Sequence, residues 1–357
     1  MITVTKPHLP DRKLFDSFVD SIYETRVLTN FGPLNEQLTE KLKDYLEIEN
    51  LLLVSSGTVA LEIAIKTWEI ERATTSIKNI DTTPFSFAAT SSAPSFLGYK
   101  LNYSDVDKTG NIDLKKIQKT SELMLAVNVY GNPNKFKELD EIYHGNVIYD
   151  NAHCFGVRSQ HNIFLQGYAT TCSMHATKIF STGEGGFIAF KNRHSFQIAK
   201  KLVNFGFEDG NISLPLGINA KLSEFNAAYG LSLFEKIDHI LSSRRKIALI
   251  YGRNLPKNVI KCILVDNAKH KSNFAYYPVL FEREIDLLAV CRILNNEGVF
   301  PRRYFYPSLN TVYSEGNNTC PESEELARKV LCLPIYPDLK QSEVLFICNL
   351  IGKSLNL

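Results

Sequence analysis

Lys178 lies in the stretch SMHATKIFSTGEGG, residues 173–186, where a short polar run meets a glycine-rich turn. Apolar residues follow immediately, so the pattern predicts a strand, a tight turn with the lysine at its rim, and a second strand. The turn carries little side-chain bulk, which lets backbone approach a ligand closely. A lysine held against packed backbone is a candidate for Schiff-base chemistry, because burial lowers its pKa toward the neutral amine. The alternative is a surface lysine in a loop.

Two polar side chains follow the apolar strand within NVIYDNAHCFG, residues 146–156. Asp150 ends that strand, and His153 comes three residues later. Open α/β sheets bind ligands at the carboxyl ends of their parallel strands, so this pair is a candidate for ligand chemistry. The alternative for Asp150 is an aspartate that only caps a turn.

A phosphate site is indicated by LLLVSSGTVALEIAIKTW, residues 51–68, which reads as a buried strand, a small-residue turn and a helix. The turn contains Ser56, Gly57 and Thr58. A helix that opens on small residues points free N–H groups at one spot, and its dipole favours an anion there. A plain strand-to-helix connection capped by Ser56 is equally compatible with the pattern.

Two aromatic stretches could contact a ligand. Phe87 follows the next predicted strand, where it could stack on a flat cofactor ring or belong to the core. FPRRYFYPSL, residues 300–309, is aromatic and basic together. It is either a substrate lip, in which an arginine meets pyrophosphate and tyrosines stack on a base or sugar, or a strand edge with solvated arginines. The residues concerned are Arg302, Arg303, Tyr304 and Tyr306.

Alternating strands and helices must position these side chains. The alternation runs from about residue 50 to residue 190, which predicts a mostly parallel sheet with crossover helices. An amphipathic helix at 11–27, and a second helix with leucines four residues apart, precede the sheet. Near residue 236 the character changes, and a charged helix precedes shorter strands. We therefore expect a large domain, 1–235, and a small C-terminal domain, 236–357.

These stretches resemble the DegT/StrS-like nucleotide-sugar aminotransferases, which are pyridoxal-phosphate (PLP) enzymes of fold type I. The lysine segment of that family has the pattern S-[FM]-H-A-x-K-x-x-x-x-x-E-G-G. This sequence fits it at Ser173, His175, Ala176, Lys178, Glu184, Gly185 and Gly186. Further motifs match in the same order from TNFGP to LPIYPDL, so the resemblance covers nearly the whole chain. It implies an aspartate-aminotransferase-like α/β fold, with a mostly parallel central sheet in a PLP-binding large domain and a smaller C-terminal α+β domain.

The resemblance also implies roles for the candidate residues. Lys178 would hold PLP covalently and move a proton, Asp150 would pair with the pyridine nitrogen, and His153 would bond the phenolic oxygen. The other cofactor-binding residues would be Ser56, Gly57, Thr58 and Ser173, with Phe87 stacked on the ring and Asn219 supplied across a dimer interface to the phosphate. Lys221 stands where many members carry arginine, and it cannot offer the same bidentate fork. The protein would thus be a homodimer with sites shared between subunits.

Composition limits the other classes. The net charge is +2 with acids and bases intermixed, which does not indicate a nucleic-acid surface. The seven cysteines are scattered without a CxxC pair, so we expect reduced thiols in a cytoplasm rather than a disulfide framework or a metal site. The polar stretch MITVTKPHLPDRK does not read as a signal peptide, and no apolar run approaches the roughly 20 residues of a membrane span.

Within the family, softer similarities in VTKPHLP, YGNP, GINAK and RRYFYP suggest a substrate. They resemble enzymes that convert dTDP-4-keto-6-deoxyglucose to dTDP-4-amino-4,6-dideoxyglucose for O-antigen or other surface polysaccharides, with glutamate as the amino donor. A C3-aminating or UDP-sugar aminotransferase is an alternative. A sugar dehydratase is disfavoured because that branch replaces the lysine by histidine, and a non-catalytic regulator that binds a sugar nucleotide is the remaining alternative.

Overall fold

The computed structural model of the protein describes residues 1–73, 79–257, 260–313 and 318–356. Its strands are β1 (Ile2–Thr3), β2 (Asn50–Val54), β3 (Asn79–Thr82), β4 (Lys100–Tyr103), β5 (Met124–Val127), β6 (Val147–Asp150), β7 (Arg158–Ser159), β8 (Ala169–Ser173), β9 (Gly186–Phe190), β10 (Phe207–Glu208), β11 (Asn211–Ile212), β12 (Ile260–Cys262), β13 (His270–Lys271), β14 (Tyr277–Phe281), β15 (Val299–Phe300) and β16 (Val330–Leu333). Its helices are α1 (Arg12–Thr25), α2 (Pro33–Leu46), α3 (Gly57–Glu71), α4 (Ala89–Phe96), α5 (Phe136–Ile142), α6 (Arg193–Leu202), α7 (Glu224–Phe234), α8 (Ile237–Asn254), α9 (Glu284–Asn296), α10 (Asn310–Tyr313), α11 (Pro321–Lys329) and α12 (Gln341–Ser354). Short 3₁₀ turns span Leu114–Lys116 and Val129–Gly131.

A seven-stranded sheet with the order β2-β9-β8-β6-β5-β3-β4 forms the centre of the fold. Its neighbouring strands pair in parallel except around β9, which is antiparallel to both β2 and β8. The predicted α/β fold with a mostly parallel sheet is confirmed. The exception follows from the connection 174–185, which contains no helix to carry the chain across the sheet, so β9 returns beside β8.

The central strands β5, β6, β8 and β9 are almost entirely buried because both faces of the sheet are covered. In β2, Leu51 and Leu53 belong to one buried cluster, and Leu52 and Val54 belong to another. Successive side chains of a strand point to opposite faces, so the two clusters lie on opposite sides of the sheet. Helices α2 and α7 supply the first cluster, and helices α3 and α6 supply the second.

A second, antiparallel sheet with the order β12-β14-β16 lies in the C-terminal part of the chain. Helices α8, α9 and α12 enclose its own apolar core. The first two-residue strand, β1, pairs with β15 of this part. We propose that this sheet and core form the small domain of residues 236–357.

A shared aromatic cluster joins the two parts of the chain. Phe85 and Tyr130 come from the region of the large sheet, and Tyr276 and Phe305 come from the C-terminal part. The Phe85 and Phe305 rings meet edge to face with centroids 5.8 Å apart, and the Tyr130 and Phe305 rings stack at 5.8 Å. Aromatic pairs of this kind add to the free energy that area burial provides. The cluster forms one wall of the candidate site.

Candidate active site

A cavity of about 270 Å³ opens at the carboxyl edge of the central sheet. The loops that follow β2, β3, β6 and β8 converge there, because these four strands run in the same direction. Of the sequence-predicted site residues, the cavity is lined by Ser56, Gly57, Thr58, Phe87, Asp150, His153, Ser173, Lys178 and Tyr304. The structure thus brings together residues that are up to 248 positions apart, from Ser56 to Tyr304.

The turn after β2 has the geometry of an anion site. Ser56 caps α3, and its hydroxyl accepts a hydrogen bond from the Val59 N–H at 3.1 Å. The next residue, Gly57, packs against β8, and a Cβ added there would lie 2.7 Å from the Ser173 Cβ. The first-turn N–H groups of a helix have no partner within the helix. The Ser56 side chain takes up the N–H of Val59, so this turn can both carry a helix cap and bind an anion.

Gly186, the first residue of β9, packs beneath the turn at Ser56 and Gly57, which lines the floor of the cavity. A Cβ there would lie 2.7 Å from the Ser56 carbonyl oxygen and 2.8 Å from the Gly57 nitrogen. The floor is therefore built of backbone packed on backbone, and glycine is required because no side chain fits.

Asp150 is 7% exposed at the end of β6. One carboxylate oxygen accepts a hydrogen bond from the Ala152 N–H at 3.0 Å, and the other accepts from the Thr90 hydroxyl at 3.2 Å. Burial raises the pKa of this carboxyl group, whereas the Ala152 and Thr90 hydrogen bonds and the nearby Lys178 charge lower it. Asp150 does cap its turn, and it also faces the cavity.

The buried His153 ring is oriented by the backbone. Its Nδ1 accepts a hydrogen bond from the Tyr130 N–H at 3.1 Å, so a neutral ring carries its proton on Nε2. Burial lowers the pKa of His153 well below its usual value, and the Lys178 charge lowers it further. The ring stacks on Phe305 with centroids 5.7 Å apart and planes at 8°. The structure therefore holds a neutral imidazole at the cavity with an N–H group to donate.

Lys178 lies half-buried in the connection between β8 and β9, so it is not a lysine of the open surface. Its Nζ donates a hydrogen bond of 3.4 Å to the Tyr276 hydroxyl. Phe87 is 58% exposed at the same cavity, which excludes the alternative that it belongs to the core.

The remaining predicted residues lie outside the cavity lining of the described chain. Asn219 is exposed beside Asn204, with which it forms a backbone bridge. The Lys221 Nζ donates a hydrogen bond of 2.7 Å to the Asn204 side chain and lies 5.4 Å from the centroid of the Phe205 ring. Burial lowers the pKa of Lys221. Within this chain, these two residues therefore do not meet Lys178.

The stretch 300–309 combines both predicted alternatives. Tyr304 lines the cavity, as a substrate lip requires. Arg303, in contrast, forms an ion pair of 2.6 Å with Glu284 and stacks over the Tyr306 ring at 3.8 Å. Arg302 is exposed and pairs with the backbone of Cys332.

Sequence reasoning missed two aromatic residues of the site. Tyr276 and Phe305 line the cavity, and neither stood out from its aromatic neighbours in FAYYPVLF or FPRRYFYPSL. The run of adjacent aromatic residues itself was the available signal. Only the packing of the C-terminal part shows which of these rings face the cavity.

Comparison with known proteins identifies the family. The profile of the DegT/DnrJ/EryC1/StrS aminotransferase family matches residues 11–351. The chain belongs to this family. It is 34% identical to a dTDP-4-amino-4,6-dideoxy-D-glucose transaminase of Shigella dysenteriae over 98% of both chains. It is 33% identical to a protein of the same name from Escherichia coli, again over 98% of both chains.

Solved structures share the fold. DesI, crystallised in the presence of its TDP-sugar product, has a TM-score of 0.90 at 23% identity and covers 99% of this chain and 94% of its own. Helicobacter pylori PseC, an aminotransferase involved in the biosynthesis of pseudoaminic acid, has a TM-score of 0.87 at 22% identity over 99% of each chain. The predicted fold type is confirmed, and so is the enzyme class, a PLP-dependent sugar aminotransferase.

The described residues lack two other features, a helix that could span a membrane and a cluster of metal ligands. None of their helices is both long and apolar enough to cross a membrane. They also contain no group of three or more His, Cys, Asp or Glu side chains arranged to hold a metal ion.

Proposed function

We propose that the protein transfers an amino group from glutamate to dTDP-4-keto-6-deoxy-D-glucose and forms dTDP-4-amino-4,6-dideoxy-D-glucose. The observation that carries this proposal is the cavity where Lys178, the buried Asp150 and the start of α3 converge. The names of the two relatives at 34% and 33% identity support the choice of sugar. The product would serve the synthesis of O-antigen or another surface polysaccharide.

The described cavity fits PLP at both of its ends. The start of α3 carries no side chain at Gly57, where a Cβ would lie 2.7 Å from the Ser173 Cβ, so its first-turn N–H groups can approach a phosphate. The carboxylate of Asp150 faces the same space from β6. Phe87, exposed at the cavity, can cover one face of the ring. Bound there, PLP would supply an electron sink for the carbon that gains or loses the amino group.

The residues of this chain would then act as follows. Asp150, ionised and held by Ala152 and Thr90, keeps a proton on the pyridine nitrogen. The Nε2–H of His153 donates to the phenolic oxygen. Lys178 Nζ holds the cofactor between turnovers and carries the proton to and from the reacting carbon. Tyr304, at the cavity, contacts the sugar nucleotide.

One assay tests this proposal. The protein is incubated with PLP, glutamate and a panel of keto-sugar nucleotides, which pairs dTDP with UDP carriers and 3-keto with 4-keto sugars. Products are followed by mass spectrometry, and glutamine and aspartate replace glutamate in parallel reactions. We expect amination of the dTDP-4-keto sugar with glutamate. Preference for a UDP sugar would instead favour a function like that of the UDP-4-amino-4,6-dideoxy-N-acetyl-beta-L-altrosamine transaminase of Campylobacter jejuni. That relative is 28% identical over 78% of this chain.

We place the enzyme in the cytoplasm. All seven cysteines are free in the structure, and burial raises the pKa of several of them, including Cys154 and Cys172, so that these thiols stay protonated. Free thiols persist where glutathione and thioredoxin keep them reduced.

We further infer a homodimer in which each subunit completes the other's site. Asn219 follows a segment with exposed apolar side chains, namely Phe205, Phe207, Ile212, Leu216 and Ile218, which are between 38% and 62% exposed. An apolar patch of this kind favours burial against another surface. A two-fold dimer buries the same patch on both subunits and presents both Asn219 side chains to the opposite phosphate cradle.

Mixed dimers provide the test of shared sites. Lys178→Ala and Asn219→Ala chains are each expected to have little activity alone. A mixed dimer would carry both lesions in one site and neither in the other. Since half of randomly assorted dimers are mixed, activity should return to about one quarter of the wild-type value.

The control mixes Lys178→Ala chains with chains that carry both substitutions, and it should restore nothing. Sedimentation and a mass tag on one chain verify assembly and exchange. A fully active monomer would refute shared sites, as would exchange that restores no activity.

A further inference from the structure

Tyr276 is a cavity residue for which neither the sequence nor the family match supplied a role. Its hydroxyl accepts the hydrogen bond from Lys178 Nζ at 3.4 Å, and the same Nζ lies 5.9 Å from the centroid of its ring. The ring also meets His153 edge to face at 4.8 Å and Tyr304 at 5.6 Å. Tyr276 therefore lies between the lysine and two other residues of the cavity.

Asn273 ties this segment to the loop after β6. Its side-chain amide donates hydrogen bonds of 2.7 Å to the His153 carbonyl and 2.8 Å to the Phe155 carbonyl. Asn273 is 2% exposed, and a buried amide without partners would be costly. The two bonds thus fix the C-terminal part of the chain against the segment that carries His153.

The fully buried Arg244 fixes the next two residues. Its Nη1 donates hydrogen bonds to the carbonyls of Phe274 at 3.1 Å, Ala275 at 3.2 Å and Ile335 at 3.0 Å. Burial lowers the pKa of this guanidinium to about 10. Taking an arginine out of water is expensive. Here two of its three hydrogen bonds go to the backbone immediately before Tyr276.

Phe274 adds a strained backbone to this arrangement. Its φ is +50°, in the left-handed region that bulky residues seldom adopt. Such strain persists only where the surrounding structure over-determines the conformation, and it is concentrated at functional sites. These contacts hold the three consecutive residues 273–275 in place, and together they fix the position of Tyr276.

We propose that Tyr276 is the positioning residue for Lys178 in the transamination assigned above. A phenol that accepts one N–H of the amine fixes rotation about the terminal C–N bond. The nitrogen is then held at the cavity, where the unprotonated amine would bind the cofactor and take a proton from the reacting carbon. A hydrogen bond of 3.4 Å is long, as catalytic hydrogen bonds often are before the substrate is in place.

Tyr276→Phe tests this role because it removes one oxygen and keeps the ring that packs on His153 and Tyr304. The first measurement uses the protein stripped of PLP. PLP is added, the reaction is stopped with borohydride at set times, and the adduct on the peptide containing Lys178 is quantified by mass spectrometry. The second measurement compares kcat and KM for the accepted keto-sugar nucleotide and for glutamate.

Tyr277→Phe is the matched control. The ring of Tyr277 stacks on Tyr251 at 4.8 Å and belongs to the separate core of the second sheet. The control thus removes the same hydroxyl oxygen from the neighbouring residue, whose side chain points in the opposite direction. Thermal unfolding of both variants shows whether either change acts through stability.

We expect Tyr276→Phe to slow PLP capture about tenfold and to lower kcat by about ten- to hundredfold with KM nearly unchanged, since misplacement of a reacting group by about 1 Å can cost a factor of 100. Tyr277→Phe should match the wild type in both measurements. Capture by Tyr276→Phe at the wild-type rate would overturn the positioning role, and so would a loss confined to KM. A wild-type protein that captures no PLP would overturn the proposed function itself, which is a different result.

Discussion

Lys178→Ala is expected to fold as the wild type does and to lower kcat by at least about 10⁴-fold. General acid–base catalysis contributes up to about that factor, and this lysine would also hold the cofactor. Its side chain is half-buried and, among the described residues, forms one long hydrogen bond, to Tyr276, so its loss leaves the apolar clusters intact. Steady-state turnover, the visible absorption of protein-bound PLP and thermal unfolding measure the three consequences.

Lys137→Ala is a suitable control, because that side chain is 87% exposed on α5 and lies outside the cavity. It should keep both turnover and the visible band. Turnover near the wild-type value in Lys178→Ala would refute the role of the lysine, whatever happens to the affinity for PLP.

Asp150→Asn is expected to reduce kcat by at least about a hundredfold. The substitution preserves the shape of the side chain and its bond from the Ala152 N–H, but it removes the charge that holds the pyridine proton. Removal of one partner from a buried charged pair costs about 3–5 kcal/mol. If most of this energy appears in the transition state, the rate falls by about two orders of magnitude or more. The Kd for PLP should rise as well.

Asp140→Asn offers a matched comparison. The pKa of Asp140 is also raised by burial. Its carboxylate accepts a hydrogen bond from the Tyr149 hydroxyl and does not line the cavity. This variant should retain kcat and the Kd for PLP. An Asp150→Asn protein with both constants unchanged would disprove the pairing.

Local sequence was sufficient to predict the part of the site that comes from the central sheet. Ser56 and Lys178 follow strands of the sheet and Asp150 ends one, and parallel strands deliver their carboxyl ends to one edge. The strand and helix signals around these residues are strong, so their convergence could be inferred without coordinates.

The C-terminal wall of the cavity could not be predicted in the same way. Asn273 and Arg244 hold the backbone just before Tyr276, which contacts Lys178. Their hydrogen bonds join residues up to 120 positions apart in the sequence. The sequence presents Arg303 as a candidate for binding pyrophosphate. Nothing in FPRRYFYPSL reveals that the Glu284 carboxylate lies 2.6 Å from its guanidinium group. Such contacts depend on tertiary packing rather than on local pattern.

The glycine floor of the cavity has a consequence for how this enzyme can acquire new substrates. Gly57 and Gly186 leave no room for a Cβ, so substitution there would shift the backbone of β2, β8 and β9 together. Gly252, which lies on α8, is different. A Cβ added there would lie 3.7 Å from the Tyr277 hydroxyl, an ordinary van der Waals distance. The rim is different again, since Thr177 lines the cavity and is exposed, so it can be exchanged without repacking a core. Directed evolution should therefore hold the floor constant and randomise the rim, where specificity can drift while the machinery beneath it is preserved.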